Sequence, residues 1–373
     1  MKLSEAGELS LLEFIRKRFG KKSQNLILGI GDDSAVIKPE NSNFLITTDM
    51  MVEDVHFDFR WTTPFQLGFK LVSVNVSDIY AMGGRPSFML LNLGAPGDMN
   101  VKIFNSLFDG IEEALRTYNL SLIGGDLSSS KKIVLSATVT GYAKKFIGRK
   151  GAKAGDKIYV TGCLGDSSCG LELLKRAKKI VEIQNTKKFI RKAPSPSPSP
   201  SRGDGNNTTP PLRGGDKGEG DVCGFTNDRI NKGGSLCGLK GEVVLPLVKR
   251  HLRPLAKKPD KFIGKATSMI DISDGLIIDL TRLCKESKTG ATIHIDRIPI
   301  SKELWEASAH LRVPALDFVL AGGEDYELLF TAPKNKKVRA FCIGEITESG
   351  IKVINEKGKA INTGKKGYQH FAV

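Results

Sequence analysis

The chain has 373 residues, of which 40% are hydrophobic and 26% charged, a composition typical of a folded globular protein long enough for two domains. Its apolar runs are too short for a transmembrane helix, and the N-terminal segment lacks the uninterrupted apolar stretch of a signal peptide. The six cysteines form no C-x-x-C pair, which argues against a zinc site and a disulfide framework, so we expect a cytoplasmic protein with reduced thiols.

The formal net charge of +15 is concentrated in one stretch. Residues 175 to 265 contain 21 basic and 8 acidic residues, a net charge of +13. Within this stretch, residues 193 to 220 are mostly Pro, Ser, Gly and Asn, a composition that cannot repay its ordering entropy. We therefore predict a largely disordered insertion over about residues 184–241. The low-complexity part has no interleaved aromatic residues for stacking on bases, so we favour a surface insertion without function over an RNA-binding segment.

Strands and helices are predicted to alternate up to residue 150. One helix begins at Pro64, after the N-cap residue Thr63, and runs to Ala81. A second helix, Met99–Tyr118, carries an apolar stripe at helical spacing. The predicted strands of this half are Asn25–Ile30, Phe44–Thr48, Ser87–Leu93, Leu120–Ile123 and Ile133–Tyr142.

The Gly-rich, basic segment RKGAKAGD predicts a change of domain, so we expect an N-terminal domain over residues 1–150 and a C-terminal domain over 151–373. The alternation of strands and helices continues there, which indicates an α/β architecture. Predicted strands are Lys157–Thr161, Ser268–Ile272, Ala291–Ile295, Glu327–Ala332, Ala340–Ile346 and Ile351–Ile354. Predicted helices begin at Gly165 and span Val244–Leu252 and Leu276–Lys285.

Aspartates in short turns rich in Gly, Ser or Thr are the most informative feature of the sequence. They are Asp32, Asp33, Asp49, Asp78, Asp126, Asp271 and Asp274. A single aspartate in a turn usually serves local backbone chemistry. Five separate loops carrying one near the end of a strand or helix are typical of several Mg²⁺ ions shared with a polyphosphate, because Mg²⁺ prefers oxygen ligands and binds weakly to protein alone. The pattern predicts phosphoryl transfer.

The phosphates must be held without the common motifs. The sequence contains neither a G-x-x-x-x-G-K-[ST] segment nor H-R-D or D-F-G, which excludes P-loop and protein-kinase-like enzymes. Gly124-Gly125-Asp126 offers close backbone approach and a metal ligand, and Ser273-Asp274-Gly275 opens a helix whose N–H groups are expected to face an anion.

Eight motifs in order resemble the thiamine-monophosphate kinase family, of the superfamily that includes aminoimidazole ribonucleotide synthetase. They are GIGDDSAV, TTDMMVEDVHF, NVSDIYAMGGRP, IGGDLSSS, GRKGAKAGD, DISDGL, AGGEDYELLF and GYQHF, and they cover nearly the whole chain outside the insertion. The resemblance implies a two-domain α/β fold like that of aminoimidazole ribonucleotide synthetase, whose N-terminal mixed sheet forms the interface of a homodimer. It also implies ATP-dependent phosphorylation of thiamine monophosphate to thiamine diphosphate.

The resemblance assigns roles residue by residue. The magnesium ligands it implies are Asp33, Asp49, Asp78, Asp126, Asp271 and Asp274, with Thr47 and Thr48 at the same cluster. The nucleotide contacts it implies are Thr47, Gly125, Asp126, Arg149 and Ser273, and those to thiamine monophosphate are His56, Glu324 and Tyr368. Asp32 lies outside this set and is expected to shape the turn that presents Asp33. No general base is implied, because phosphoryl transfer relies on positioning and charge neutralisation and the attacking phosphate is already anionic.

Other interpretations and one departure from the family stay open at this point. Without the resemblance, His56 reads as a structural histidine, Glu324 as a turn residue and Tyr368 as a packing anchor. Asp54 stands where the family usually has a small residue, and it adds charge beside the expected thiamine pocket. Selenophosphate synthetase would need a cysteine near the N-terminus, and residues 1–24 contain none. A basic scaffold that binds polyanions would explain the net charge of +15 but would give the aspartates no function, because acidic residues repel a polyanion.

Overall fold

The computed structural model describes residues 26–28, 35–37, 42–177, 234–361 and 367–368. Two six-stranded mixed sheets dominate it, one on each side of the predicted domain boundary at residue 150. Asp32, Asp33 and residues 178–233, which include most of the insertion predicted over 184–241, lie outside the described residues. Among the helices that the structure does describe, none combines the length and apolarity needed to cross a membrane.

The N-terminal sheet has the strand order β1-β2-β3-β6-β4-β5. Its strands are β1 (Leu26–Leu28), β2 (Ala35–Ile37), β3 (Asn43–Val52), β4 (Arg85–Ala95), β5 (Ser121–Ser129) and β6 (Val134–Ala143). All neighbours are antiparallel except β4 and β5, which run parallel. Odd-numbered residues of β3 such as Leu45 and Met51 are buried under the helices, whereas even-numbered residues such as Met50 face the open side.

Helices α1 (Pro64–Ala81) and α2 (Val101–Tyr118) cover one face of this sheet. The first turn of α1 is closed by a capping box, in which the Gln66 N–H donates to Thr63 Oγ1 and the Thr63 N–H donates to Gln66 Oε1. Almost every residue of α1 is buried, including the polar Lys70, Asn75 and Ser77. A helix buried on all sides is expected to use such polar residues for specific partners, because an unpaired buried polar group is costly.

The C-terminal sheet has the strand order β10-β12-β7-β13-β11-β14. The strands of this half are β7 (Lys157–Val160), β8 (Ser235–Leu236), β9 (Leu239–Lys240), β10 (Ser268–Asp271), β11 (Gly290–His294), β12 (Leu328–Ala332), β13 (Phe341–Thr347) and β14 (Ile351–Ile354). The helices are α3 (Asp166–Ala177), α4 (Gly241–Leu252), α5 (Leu276–Ser287), α6 (Lys302–Leu311) and α7 (Ala315–Ala321). They build the main core on one face, whereas Tyr159 and Phe330 on the other face pack with Ala81 and Ile147 of the N-terminal half.

The structure corrects the sequence predictions in several places. Four aspartates expected in turns lie within regular elements: Asp49 in β3, Asp78 in α1, Asp126 in β5 and Asp271 in β10. Strand β2 was not predicted. Strand β5 continues through Gly124-Gly125-Asp126 to Ser129 instead of ending at Ile123. Residues 235–240 form the hairpin β8–β9, in which Leu236 and Leu239 are buried in the core, so the predicted insertion over 184–241 extends too far at its C-terminal end. Helices α6 and α7 were not predicted.

Candidate functional site

The site begins where strand β3 meets helix α1. Thr47 Oγ1 donates a hydrogen bond of 2.6 Å to Asp78 Oδ2. Two residues further along β3, the Asp49 N–H donates to Asn75 Oδ1 at 3.0 Å, and the Asn75 amide donates to the Leu71 carbonyl at 2.9 Å. Asn75 and Asp78 therefore hold the strand and bring Asp49 and Asp78 to the same junction. Asn75 was missed, although it stands in the NVSD motif.

A second contact brings the C-terminal half to the same helix. Ser77 Oγ donates to Asp271 Oδ2 at 2.6 Å, and at most 1% of either residue is exposed. Asp271 is the last residue of β10, so this bond connects the edge of the C-terminal sheet with α1. The predicted ligand Asp271 consequently lies beside the N-terminal site, and Ser77 is a positioning residue that the sequence did not single out.

Tyr326 marks the place where the carboxylates converge. Its side chain is buried, its backbone has a φ of +50°, and its N–H donates to the Ile272 carbonyl at 2.9 Å. Burial raises the pKa of the Tyr326 phenol well above its ordinary value, and the negative charges of Glu324, Asp49, Asp271 and Asp274 raise it further. Four predicted site residues from both halves of the chain therefore lie close enough to one phenol for their charges to act on it.

The Ser273-Asp274-Gly275 turn faces an anion that belongs to the protein. Asp279 Oδ2 accepts hydrogen bonds from the N–H groups of all three turn residues, at 3.1, 3.0 and 3.1 Å. Arg282 donates to Asp279 Oδ1 at 2.8 Å and forms an ion pair with Asp274. Asp279 is fully buried one turn into α5. The helix opening is thus occupied by a carboxylate of its own helix.

Arg149 lies beside this turn. Ser287 fixes the backbone of its loop: Ser287 Oγ donates to the Arg149 carbonyl at 2.8 Å and accepts from the Gly151 and Ala152 N–H groups at 3.1 Å. Burial and the charge of Asp274 raise the pKa of Asp279, and the positive charge of the Arg149 guanidinium opposes this rise. Burial lowers the pKa of Arg282, but the charges of Asp279 and Asp274 outweigh it and raise this pKa overall. The Arg149 guanidinium is therefore within electrostatic range of Asp279, the residue that accepts the Ser273 N–H.

Gly125 and Asp126 lie apart from this group within one chain. Both are on the exposed edge strand β5, where Gly125 has a φ of +151° and an added Cβ would lie 1.7 Å from the Leu91 carbonyl oxygen. The strand register runs from Asp49 through two intervening strands to Gly125. Three strand spacings amount to about 14 Å, which no single ion can bridge. Asp126 would therefore contact a different ion from Asp49 and Asp78.

Thr48 lies on strand β3, and His56 lies in the turn that follows this strand. Thr48 is exposed, and its Oγ1 donates to the Ala137 carbonyl at 2.9 Å. The Val52 N–H donates to His56 Nδ1 at 3.0 Å, so this ring nitrogen is an acceptor and the proton of a neutral ring is on Nε2. Asp54 in the same turn forms an exposed ion pair of 2.9 Å with Lys132, which offsets its additional charge.

Glu324 and Tyr368 flank the Ser273-Asp274 turn. The Glu324 N–H donates to the Ser273 carbonyl at 2.7 Å, and the Tyr368 N–H donates to the Asp274 carbonyl at 3.0 Å. The Tyr368 side chain is 48% exposed. Burial raises the pKa of Glu324, but the positive charge of Lys70 and a hydrogen bond with His251 outweigh it and hold this pKa well below its usual range.

The donors of the site are suited to a hard cation. The side chains supply only oxygen atoms, the ligands that Mg²⁺ prefers. They belong to Thr47, Asp49, Asp78, Asp271 and Asp274. Within the described part of the chain, no three His, Cys, Asp or Glu side chains lie close enough together to hold one ion. Mg²⁺ usually takes one or two carboxylates and completes its coordination with water and substrate phosphates, so pairs of aspartates fit this requirement.

Comparison with known proteins identifies the family. Residues 31–143 match the model of the AIR synthase related protein, N-terminal domain, and residues 229–356 match that of the C-terminal domain. A thiamine-monophosphate kinase of Aquifex aeolicus is 32% identical over 375 residues, which cover 100% of both chains. One of Buchnera aphidicola subsp. Schizaphis graminum is 34% identical and covers 98% of this chain and 99% of its own. The chain belongs to the thiamine-monophosphate kinase family.

A solved structure agrees with this assignment to the thiamine-monophosphate kinase family. AaThiL complexed with AMPPCP and TMP superposes with a TM-score of 0.74 at 30% identity and covers 99% of each chain. The family resemblance and the two-domain α/β fold predicted from the eight motifs are confirmed. The roles of the individual site residues stay predictions. The structure adds four residues that contact or lie near them, which are Asn75, Ser77, Tyr326 and Asp279.

Proposed function

We propose that this chain is a kinase that transfers the γ-phosphoryl group of ATP to thiamine monophosphate, giving thiamine diphosphate and ADP. The observation that carries the proposal is the full-length match to AaThiL complexed with AMPPCP and TMP, an ATP analogue and a phosphate ester, at 30% identity. The convergence of Asp49, Asp271, Asp274 and Glu324 around Tyr326 supports it, because a polyphosphate bound with cations needs such acidic surroundings.

Two sides of the site would hold magnesium in this reaction. Thr47, Asp49 and Asp78 present oxygens from the β3–α1 junction, and Asp271 and Asp274 present them from the C-terminal half. Bound Mg²⁺ would neutralise phosphate charge, which is the main requirement of a loose phosphoryl-transfer transition state. Asp126, on its separate strand, and Asp33, outside the described residues, would serve further ions of the same polyphosphate.

The remaining residues would orient the two substrates. Arg149 carries a forked guanidinium suited to phosphate oxygens and lies next to the Ser273 turn, so we assign both to the nucleotide. His56, Glu324 and Tyr368 would enclose thiamine monophosphate. The attacking group is a phosphate oxygen that is anionic near neutral pH, and its orientation toward the γ-phosphorus replaces proton abstraction.

The reaction is tested by incubating the purified chain with thiamine monophosphate and ATP, with and without Mg²⁺, and separating the products by chromatography. We expect thiamine diphosphate and ADP in equal amounts, and only when Mg²⁺ is present. Thiamine as the acceptor is the matched control, because it lacks the attacking phosphate. Folded protein that forms no thiamine diphosphate would refute the proposed acceptor, and ADP formed with another phosphorylated acceptor would redirect the search.

We further propose that the chain is a cytoplasmic homodimer. The open face of the N-terminal sheet exposes Met50 (54%) on β3 and Phe88 (40%) and Leu90 (42%) on β4, with β6 between these two strands. Exposed apolar residues on one face of a sheet favour an interface, and a two-fold axis would pair two such faces. The five cysteines in the described residues are free thiols, which suits a reducing compartment.

Leu90→Glu is expected to convert the dimer into monomers, because a charge at the centre of an apolar interface is left without a partner. Light scattering coupled to size exclusion measures the mass. Leu255→Glu is the matched control, since Leu255 is equally exposed (48%) but lies outside the N-terminal sheet. A wild-type chain that runs as a monomer, or a Leu90→Glu variant that stays dimeric, would contradict the proposed interface.

Polyanion binding by the basic stretch is the alternative to a surface insertion without function, and a deletion separates it from kinase activity. Removing residues 187–230 retains the β8–β9 hairpin, whose Leu236 and Leu239 are part of the core. We expect kinase activity within about twofold of the full chain and weaker retention on heparin, because electrostatic binding follows the number of basic residues. Loss of kinase activity from a folded deletion variant would give the segment a role in catalysis.

A further inference from the structure

We propose that Lys70 is a positioning residue for acceptor recognition, which it serves by orienting Glu324 from the opposite domain. This inference rests on the proposed function. Lys70 lies on α1 of the N-terminal half, and its Nζ is 2.8 Å from Glu324 Oε1. None of the sequence motifs assigned Lys70 a role, and it touches none of the predicted metal ligands in this contact.

Burial makes the Lys70 contact specific. Only 4% of Lys70 is exposed, although lysine is among the residues least often buried. A buried ammonium without a counter-charge would be strongly destabilising, so this position depends on a nearby carboxylate. Glu324 provides it, and the pair joins a helix of one domain to a loop of the other.

The second oxygen of Glu324 is held from the C-terminal half. His251 on α4 places Nδ1 2.9 Å from Glu324 Oε2, and the ring is also 3.3 Å from Ser167 Oγ. His251 is 4% exposed, and burial lowers its pKa, so the ring is neutral near pH 7 and acts as a hydrogen-bond donor. With one oxygen bound to Lys70 and the other to His251, the plane of the Glu324 carboxylate is fixed.

The arrangement leaves Glu324 accessible in a strained conformation. Its side chain retains 30% exposure, and its backbone has a φ of +64°, which is unfavourable for a residue with a Cβ. Glu324 also contributes to the field around Tyr326 together with Asp49 and Asp271. Glu324 is therefore a carboxylate that is presented to a ligand in one orientation. Its strained backbone and its two buried partners fix it, and the exposed part of its side chain is accessible.

The Lys70–Glu324 pair carries no net charge. Recognition of thiamine by Glu324 therefore depends less on net charge than on the direction in which the carboxylate oxygens point. Removing the ammonium would release one of the two contacts that orient the carboxylate and take away the positive charge that lowers its pKa. A role in acceptor binding predicts a change in the affinity for thiamine monophosphate without a change in the affinity for ATP. A purely structural role of a cross-domain ion pair predicts a change in stability that affects both substrates alike.

The test compares Lys70→Met, Lys70→Arg and Glu113→Gln by steady-state kinetics, calorimetric binding of thiamine monophosphate and thermal unfolding. Glu113 is the matched control because its ion pair with Arg253 also connects the two halves and does not involve Glu324. We expect Lys70→Met to raise the KM and Kd for thiamine monophosphate about tenfold, a loss typical of one oriented polar contact, while the KM for ATP stays within about twofold. Lys70→Arg should recover most of this loss, and Glu113→Gln should leave both KM values unchanged.

Equal effects of Lys70→Met and Glu113→Gln, or an unchanged Kd for thiamine monophosphate in Lys70→Met, would overturn the inference. If Lys70→Met does not fold, His251→Leu tests the same carboxylate from the other domain with the same expected result. A wild-type chain that binds thiamine monophosphate without phosphorylating it would refute the proposed reaction, and the Kd values would still decide on Lys70. A folded wild-type chain that does not bind thiamine monophosphate would refute both.

Discussion

Asp78→Asn is expected to lower the turnover number by about 10²–10³-fold while the protein stays folded, which corresponds to about 3–4 kcal/mol of transition-state stabilisation. Asparagine keeps the volume of the side chain and an oxygen that can accept the hydrogen bond from Thr47 Oγ1. The substitution therefore removes the negative charge and little else. Because phosphoryl transfer depends on charge neutralisation by bound cations, loss of one ligand charge should act mainly on kcat.

Turnover and its dependence on Mg²⁺ concentration are measured together for Asp78→Asn. The variant should need a higher Mg²⁺ concentration for half-maximal activity, whereas a purely structural defect would lower the thermal midpoint instead. Asp109→Asn on the exposed side of α2 is the matched control, and its turnover should equal that of the wild type. Wild-type turnover and an unchanged Mg²⁺ requirement in Asp78→Asn would remove Asp78 from the metal-binding group.

Local chemistry explains which elements the sequence predicted well. Helix α1 has the predicted bounds, because Thr63, Pro64 and Gln66 form a complete N-terminal signal within four residues. Strand β14 was also predicted with its observed bounds, Ile351–Ile354. Helix α6 shows that such signals can be overlooked, since the N-cap Ser301 is followed by buried Leu304 and Leu311 at helical spacing.

Elements that depend on distant partners could not be predicted in the same way. Strand β5 is exposed along its whole length, so it has no alternation of apolar and polar residues, and its two glycines read as a turn. Its conformation is fixed by parallel pairing with β4, about thirty residues earlier in the chain. The β8–β9 hairpin borders a low-complexity segment, and composition alone could not show that Leu236 and Leu239 enter the core.

The same distinction applies to the site. The aspartates stand in recognisable short motifs, so candidate metal ligands were found from the sequence, although Asp49, Asp126 and Asp271 lie in strands and Asp78 in helix α1 rather than in the predicted turns. The residues that hold them were not, because they are distant in sequence from the aspartates that they contact: Ser77 and Asp271 are 194 positions apart, and Asn75 and Asp49 are 26 apart. Lys70 reads as an ordinary helix residue until the fold brings Glu324 to it.

Asp279→Ala tests the support of the Ser273-Asp274-Gly275 turn, and it is expected to destabilise the protein by about 3–5 kcal/mol, the range for breaking a buried charged network. Alanine would leave three N–H groups without their acceptor, one of them on the buried Gly275, and would deprive Arg282 of one of its carboxylates. Chemical unfolding followed by circular dichroism measures the loss. Asp109→Ala, on an exposed helical surface, is the matched control and should change the free energy of unfolding by less than about 0.5 kcal/mol.

Asp279→Asn separates charge from hydrogen bonding in the same turn. Its amide oxygen can still accept from the three N–H groups, but its NH₂ group replaces the oxygen that accepts from Arg282, so a smaller loss of stability is expected. Activity should fall in both variants, because a displaced turn no longer holds Ser273 and Asp274 in position for the substrates. An Asp279→Ala variant with wild-type stability would mean that the turn holds its shape without an internal anion. The helix opening would then be free to receive a phosphate of the nucleotide directly, as its sequence first indicated.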